Sequence, residues 1–270
     1  MTIGFQTAVK PKLSFTLPDV ASEWGDLYNT APPALTDVYS ARSSGSRHEY
    51  FSEGDYWWPE ANTPGSVYVR RDGMSNPDNF IEHRKLMIKM SNLVTGLTLA
   101  WMKSRDRRYA AKAVEALHRW FIDENTRMLP HLRYSQAING ICMGRSIGII
   151  DTIHLIEAAL SARILIHHGL VPDSVKTGLR KWFKEYLRWL QEHDFGKQER
   201  AQQNNHGTCW YLQAAAFAKL VEDDDVLAMC RKDFKFILLP GQMAADGSFP
   251  NELVRTKPYG YSLFNLDVMT

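Results

Sequence analysis

The sequence predicts an all-α fold of stacked helical hairpins, as in a solenoid or a closed α/α toroid. Three observations carry this. From Phe80 onward, apolar residues recur at spacings of three and four. The helical stretches come in pairs of roughly 40–50 residues joined by loops of unequal length, with no strict sequence repeat. Almost nowhere do apolar and polar residues alternate as they would along a half-buried strand.

Taken in order, Leu17 to Tyr28 suits one short helix, broken by Ala31-Pro32-Pro33. The aromatic run Tyr50 to Pro59 reads as an ordered loop. Residues 61–79 continue as loop, with turn signals at Pro64-Gly65 and Asp72-Gly73. Structureless loops of this length are uncommon in compact domains and are usually functional. Leu86, Met90, Leu93, Leu97 and Trp101 mark one helix; Tyr109 to Phe121 mark a second, ended by Pro130. A third spans Ile149 to His168, before Gly169. A fourth starts at Pro172-Asp173 and carries Val175, Leu179, Trp182, Phe183, Tyr186, Leu187 and Leu190 on one face. A fifth runs from Gly207 to Val221, and a sixth from Asp224 to Leu239, stopped by Pro240-Gly241. A last apolar helix starts at Leu263 and is scarcely begun at Thr270, so the expectation is a domain truncated at its C-terminus. In such a fold, loops at one end of the hairpins carry the chemistry.

Bulk properties narrow the function classes. A hydrophobic content of 44% and a charged content of 23% are ordinary for a globular protein. A formal net charge of +2 makes no global case for nucleic acid or acidic membranes as partners. No run of eighteen apolar residues suggests a membrane span. Met1 to Pro18 lacks the apolar core of a signal peptide. Cys142, Cys209 and Cys230 have neither metal-ligand nor disulfide-framework spacing and read as small buried hydrophobes. No metal or other cofactor is implied.

The most informative stretch is Gln202-Gln203-Asn204-Asn205-His206-Gly207-Thr208, at the start of the fifth helix. An N-capping Asn accounts for one residue of it. Four consecutive amides and a histidine, followed by Trp210 and Tyr211, suit a site that holds a polar, anionic ligand.

Together with that stretch, three further motifs resemble those of the alginate lyase domain family. They are Trp57-Trp58-Pro59 with the NTPG and RRDG sequences up to Gly73; Gly144-Arg145 before Gly148-Ile149-Ile150-Asp151; and Glu252-Leu253-x-Arg255-Thr256 before Tyr259-x-Tyr261-Ser-Leu-Phe-Asn265. The resemblance covers roughly residues 50–270. It implies an incomplete α/α toroid with long loops lining a cleft at one end. Residues 1–49 would be an N-terminal extension whose short helix packs on it. It also implies a polysaccharide lyase acting on alginate or a related polyuronate such as glucuronan, and a secreted or periplasmic location; from the sequence alone a cytoplasmic one also stands. The chain departs from the family where Cys209-Trp210-Tyr211 shifts an aromatic pair by one place and removes a following Asp.

Uronate β-elimination needs donors that neutralise the sugar carboxylate, a base for the C5 proton and an acid for the departing O4. By the resemblance, Asn205 and Arg255 neutralise the carboxylate, and His206 is the base or its partner. Tyr261 is the acid, with Tyr259 as its rival. Trp57, Trp58, Arg70, Arg71, Gln136, Asn139 and Asn204 are candidate substrate-binding residues, because aromatic faces meet sugar rings and arginines meet carboxylates. Arg145 and Asp151 read as structural contacts; His131, His154, His167 and His168 read as surface or satisfied core histidines. Two rivals remain at this point. One is an inverting hydrolase using Asp55 with Asp246 or Glu252. The other is a non-catalytic or truncated carbohydrate-binding relative.

Overall fold

The computed structural model describes residues 21–60 and 66–270; the start of the first expected helix at Leu17, residues Met1 to Pro18 and the Pro64-Gly65 turn lie outside them. The chain is mostly helical, as expected. After α1 (Ala21–Asn29), a loop leads to two three-residue strands, β1 (Phe51–Glu53) and β2 (Trp57–Pro59), and then β3 (Tyr68–Arg70). The long hairpins follow: α2 (Glu82–Ser104) with α3 (Arg107–Phe121), then strand β4 (Tyr134–Ala137), α4 (Leu155–His167) and α5 (Asp173–Glu192). Next come α6 (Asp194–Arg200), α7 (Asn205–Val221), α8 (Asp224–Asp233), the short turns α9 (Leu239–Gln242) and α10 (Pro250–Leu253), and α11 (Pro258–Met269).

Packing sorts these helices into two layers. Helix α2 packs on α4, α4 on α7, and α7 on α11, forming an inner row; α3 and α5 pack on each other and back onto that row. Composition explains the sorting. α4 (LIEAALSARILIH) and α7 (NHGTCWYLQAAAFAKLV) are apolar almost all round and are covered on several sides. α3 and α5 carry one apolar stripe and a charged outer face, so they cover the row without needing cover themselves. Trp120, Trp210, Tyr186, Phe183 and Phe217 are fully buried between the layers. At about 25 cal/mol per Å² of apolar area, burial of such side chains is the main stabilising contribution.

The short helices α6 and α10 were not expected, and α11 starts at Pro258, five residues before the expected Leu263. Four further departures from the expected elements have local causes. Residues Ser146–His154 form a 3-10 helix, not the first turns of an α-helix. There Asp151 is drawn inward by side-chain hydrogen bonds, and Thr152 Oγ1 bonds back to the Ile149 carbonyl, so side chains compete with the α ladder. The sixth helix does not stop at Pro240: Phe234–Leu238 widens to π geometry, with Leu239 N–H reaching back to the Phe234 carbonyl, and helix resumes as α9. Proline lacks an N–H and its ring crowds the carbonyl four residues back; the wider turn relieves both. The strands are each three or four residues long, too short to carry an alternating pattern. β1 pairs with β4 in parallel, and β2 with β3 antiparallel, with Trp57 opposite Arg70. Finally, Cys142 is half-buried, unlike the buried Cys209 and Cys230. Among the described residues, no helix is long and apolar enough to cross a membrane.

Candidate active site

A cleft of about 610 Å³ opens where the N-terminus of α7, the 3-10 helix, the β2–β3 hairpin and the α10–α11 segment meet. Helix α7 starts where it does because Asn204, in extended conformation, caps it, accepting the His206 N–H on Oδ1 at 3.1 Å. Gly207 permits the tight entry: a Cβ there would lie 2.0 Å from the Gln202 carbonyl oxygen. This pins Asn204, Asn205 and His206 on the cleft wall. Gln242, on the unexpected α9 turn, donates to the Asn204 carbonyl and accepts from Thr208 and Asn265, tying α7 to α9 and α11.

Two buried carboxylates stand behind this wall. Glu252 Oε1 accepts from both the backbone N–H (2.6 Å) and Nδ2 (2.8 Å) of Asn205, which is 2% exposed. Glu199, on α6, meets His206 Nδ1 at 2.7 Å through Oε1, while its Oε2 has no protein hydrogen-bond partner. Burial raises the Glu199 pKa above the usual carboxylate value, and the bond to His206 offsets part of that rise. A carboxylate on Nδ1 turns the histidine so that Nε2 faces outward as the exchangeable nitrogen.

The opposite wall is assembled from distant segments. Tyr261 Oη lies 2.9 Å from Tyr56 Oη, and the Arg255 guanidinium sits 3.9 Å from the Tyr261 ring centroid. Arg255 donates twice to Asp72, from Nε (3.2 Å) and Nη2 (2.9 Å), and Arg70 and Thr256 share the same carboxylate. These bonds hold the Asp72 carboxyl well below the usual range, with Arg255 the largest cause and partial burial opposing. The Tyr261 hydroxyl is pushed up instead. Burial and Tyr56 outweigh the nearby Arg255, whose charge acts in the opposite direction.

The floor is a buried network around Asp151, which accepts from Tyr50 (3.0 Å), Ser52 (2.6 Å), Gln136 Nε2 (3.0 Å) and Arg84 (3.3 Å). Arg84 also pairs with Asp55.

Of the residues singled out in the sequence, His206, Tyr261, Asn205, Arg255, Asn204, Trp57, Arg70 and Gln136 line this one cleft. Four do not. Trp58 and Arg71 stack on each other beside it, with the guanidinium 5.3 Å from the indole centroid. Asn139 lines a separate depression with Arg42 and Cys142. Tyr259 is 77% exposed, on the opposite face of α11 from Tyr261. Arg145 lines the cleft and bonds to Gln136, so it is not a contact remote from the site. His154 also reaches the cleft, whereas His131 contacts Glu49 and His167 meets His168 edge to face. The acid pairs considered for hydrolysis do not face one another across the cleft. Asp55 is bound to Arg84, Asp246 lies exposed on a turn, and Glu252 is buried behind Asn205. Tyr56, Asp72, Arg84, Glu199 and Glu252 had no distinguishing sequence signal, except that Asp72 lies in the RRDG motif and Glu252 three residues before Arg255. Among the described residues, no group of three or more His, Cys, Asp or Glu side chains is placed to hold a metal ion.

The alginate lyase family model matches residues 34–270. The match begins before residue 50; Ala34 and Leu35 are already fully buried. Among solved structures, the chain is similar to an alginate lyase from Bacteroides ovatus, with 34% identity and a TM-score of 0.84 over 92% of this chain and 66% of that one. Its fold is also similar to that of alginate lyase A1-III, solved as a histidine-to-alanine variant complexed with a tetrasaccharide. There the TM-score is 0.61 and the identity 14%, over 90% of this chain and 61% of that one. The chain thus spans just under two thirds of the length of each of these proteins. No curated protein sequence matches it.

Proposed function

The chain belongs to the alginate lyase family, and from that premise we propose that it is a polysaccharide lyase that cleaves a uronic-acid polymer, alginate or glucuronan, by β-elimination. The observation that carries this reading is one cleft bringing together a carboxylate-backed histidine and an arginine-flanked tyrosine.

Each group has a defined task. Asn205 keeps one amide hydrogen on Glu252 and offers the other to the sugar carboxylate, while Arg255, whose Nε and Nη2 are held by Asp72, offers its Nη1 hydrogens. Neutralising that carboxylate acidifies the C5 proton, because the negative charge that develops on proton loss is stabilised there. With Nδ1 held by Glu199, His206 takes the C5 proton on Nε2. The C5–H electron pair becomes the C4–C5 double bond and the C4–O4 bond breaks. Tyr261 gives O4 its proton, a role suited to a hydroxyl whose raised pKa keeps it protonated.

The test is the ultraviolet absorbance of the unsaturated uronate product, followed with alginate, polymannuronate and glucuronan in turn. His206→Ala and Tyr261→Phe are each expected to lower kcat by about 10²–10⁴-fold. A folded wild-type protein that yields no unsaturated product from any polyuronate would sink the reading. If such a protein still bound the polymers, it would be a carbohydrate-binding relative.

A further inference from the structure

Among the described residues, four arginines line the cleft: Arg70, Arg84, Arg145 and Arg255. Three are matched by carboxylates. Arg84 meets Asp55 and Asp151, and Arg70 and Arg255 share Asp72. Arg145 has no described carboxylate within ion-pair distance.

Its surroundings nevertheless hold it in one place. Nε donates to the Gln136 carbonyl at 2.8 Å and Nη2 to Gln136 Oε1 at 3.3 Å. The guanidinium lies 5.5 Å from the Trp57 ring centroid. A Cβ on residue 54 would come within 2.5 Å of Arg145 Nη2 and 2.8 Å of Trp57 Cδ1, so Gly54 keeps this seat open. Gln136 is itself locked. Its N–H donates to Ser52 Oγ, its Nε2 donates to the buried Asp151, and its φ of 47° is one a non-glycine residue adopts only when its surroundings impose it. Asp151 therefore fixes which end of the amide faces Arg145.

Two of five guanidinium N–H donors are used, leaving three for a ligand. A part-buried cation without a counter-charge has lost hydration without compensation, and burial lowers its pKa accordingly. An anion docking from the cleft would restore the balance. We propose that Arg145, seated by Gln136 and Trp57, binds the carboxylate of a second uronate, next along the polymer from the sugar that meets Arg255, and so selects polymers charged at successive sugars. This rests on the lyase reading of the cleft. It makes Trp57 the seat of a cation, not a platform for a sugar ring.

The experiment compares wild-type protein with Arg145→Gln and Arg145→Lys on two substrates: polymannuronate, and the same polymer with part of its carboxylates reduced to primary alcohols. On the fully charged polymer, Arg145→Gln should raise KM by about 10- to 100-fold, the effect of losing one charge-assisted pair. On the reduced polymer the rise should be much smaller, and the salt dependence of KM should flatten. Arg145→Lys keeps the charge but not the fork and should fall between; it carries the same comparison if Arg145→Gln does not fold. Wild-type KM and wild-type preference for the charged polymer in both variants would overturn the proposal and leave the lyase reading intact. If the wild-type protein cleaves no polyuronate, the lyase reading fails. Equilibrium binding of polymannuronate, read by tryptophan fluorescence, then decides Arg145 separately. Equal affinity in wild type and Arg145→Gln, or no binding by the wild type, overturns the proposal; weaker binding by the variant supports it.

Discussion

The two walls of the cleft are built by opposite means. The Asn204–His206 wall is three consecutive residues on the first turn of α7, backed by two carboxylates, Glu199 and Glu252, that are both 0% exposed. The Tyr261–Arg255 wall is drawn together across 183 residues of sequence by Asp72, whose side chain keeps 19% of its exposure. The carboxyl groups record the difference. Burial raises the Glu199 pKa, whereas the arginine bonds lower that of Asp72. The first wall accepts a desolvation cost to orient a histidine; the second uses a salt bridge to place a cation. Stability and activity should therefore part company on the first wall and move together on the second.

The sharpest test of that contrast is Glu199→Gln. Losing the carboxylate on Nδ1 frees the histidine to take the wrong tautomer, and kcat should fall about 100-fold or more. Stability should move the other way. A carboxyl whose folded pKa is raised contributes stability below its ordinary pKa and loses it as pH rises through the raised value. Near pH 7 the wild-type protein carries that cost, so Glu199→Gln should be about 1 kcal/mol more stable there. The gap should close as pH falls into the carboxylate range. Denaturant melts at a series of pH values read this directly, and a variant less stable at neutral pH would break the contrast.

Asp72→Asn should act on the second wall with a smaller effect. Arg255 and Arg70 lose their shared anchor, and kcat/KM should fall about tenfold. A carboxyl held low contributes stability above its ordinary pKa and loses it as pH falls through the depressed value. The variant should therefore be less stable at neutral pH, by less than about 1 kcal/mol because the pair is partly solvated, and match the wild type only in strong acid. Equal or greater stability at neutral pH would show that Asp72 is not the tether.

Tyr56→Phe should have the smallest effect. Tyr56 is one cause of the raised Tyr261 pKa, so its removal should move the basic limb of the kcat profile to lower pH. The change in kcat at its optimum should stay within about fivefold. An unmoved basic limb would mean the pair does not share its proton.

How much was legible follows the same division. The α7 wall could be read in the sequence because its residues are neighbours and because caps and helix starts have local signatures. The capping Asn204 and the apolar run after it mark a helix start there. The long helices were legible for the same reason, since their stripes repeat within one turn. The 3-10 segment at Ser146–His154 was not, because Asp151 is turned inward by Tyr50 and Ser52, about 100 residues away. Nor was the continuation through Pro240, where packing favours widening the turn over ending it. The placement of Tyr261 in the cleft and Tyr259 in solvent depends on which face of α11 packs on α7.

By itself, then, the sequence determined the helices, their division into all-apolar and one-faced types, and the cluster at Asn204–His206. Each of those follows from residues within a turn or two of one another. Tertiary structure alone decided which arginines are neutralised and which one is left open, which carboxylates are buried behind Asn205 and His206, and which tyrosine meets Arg255. Charge pairing and burial depend on distance in space: the carboxylates of Arg84 and Arg255, and the Trp57 ring beside Arg145, come from segments that only the packed fold brings together.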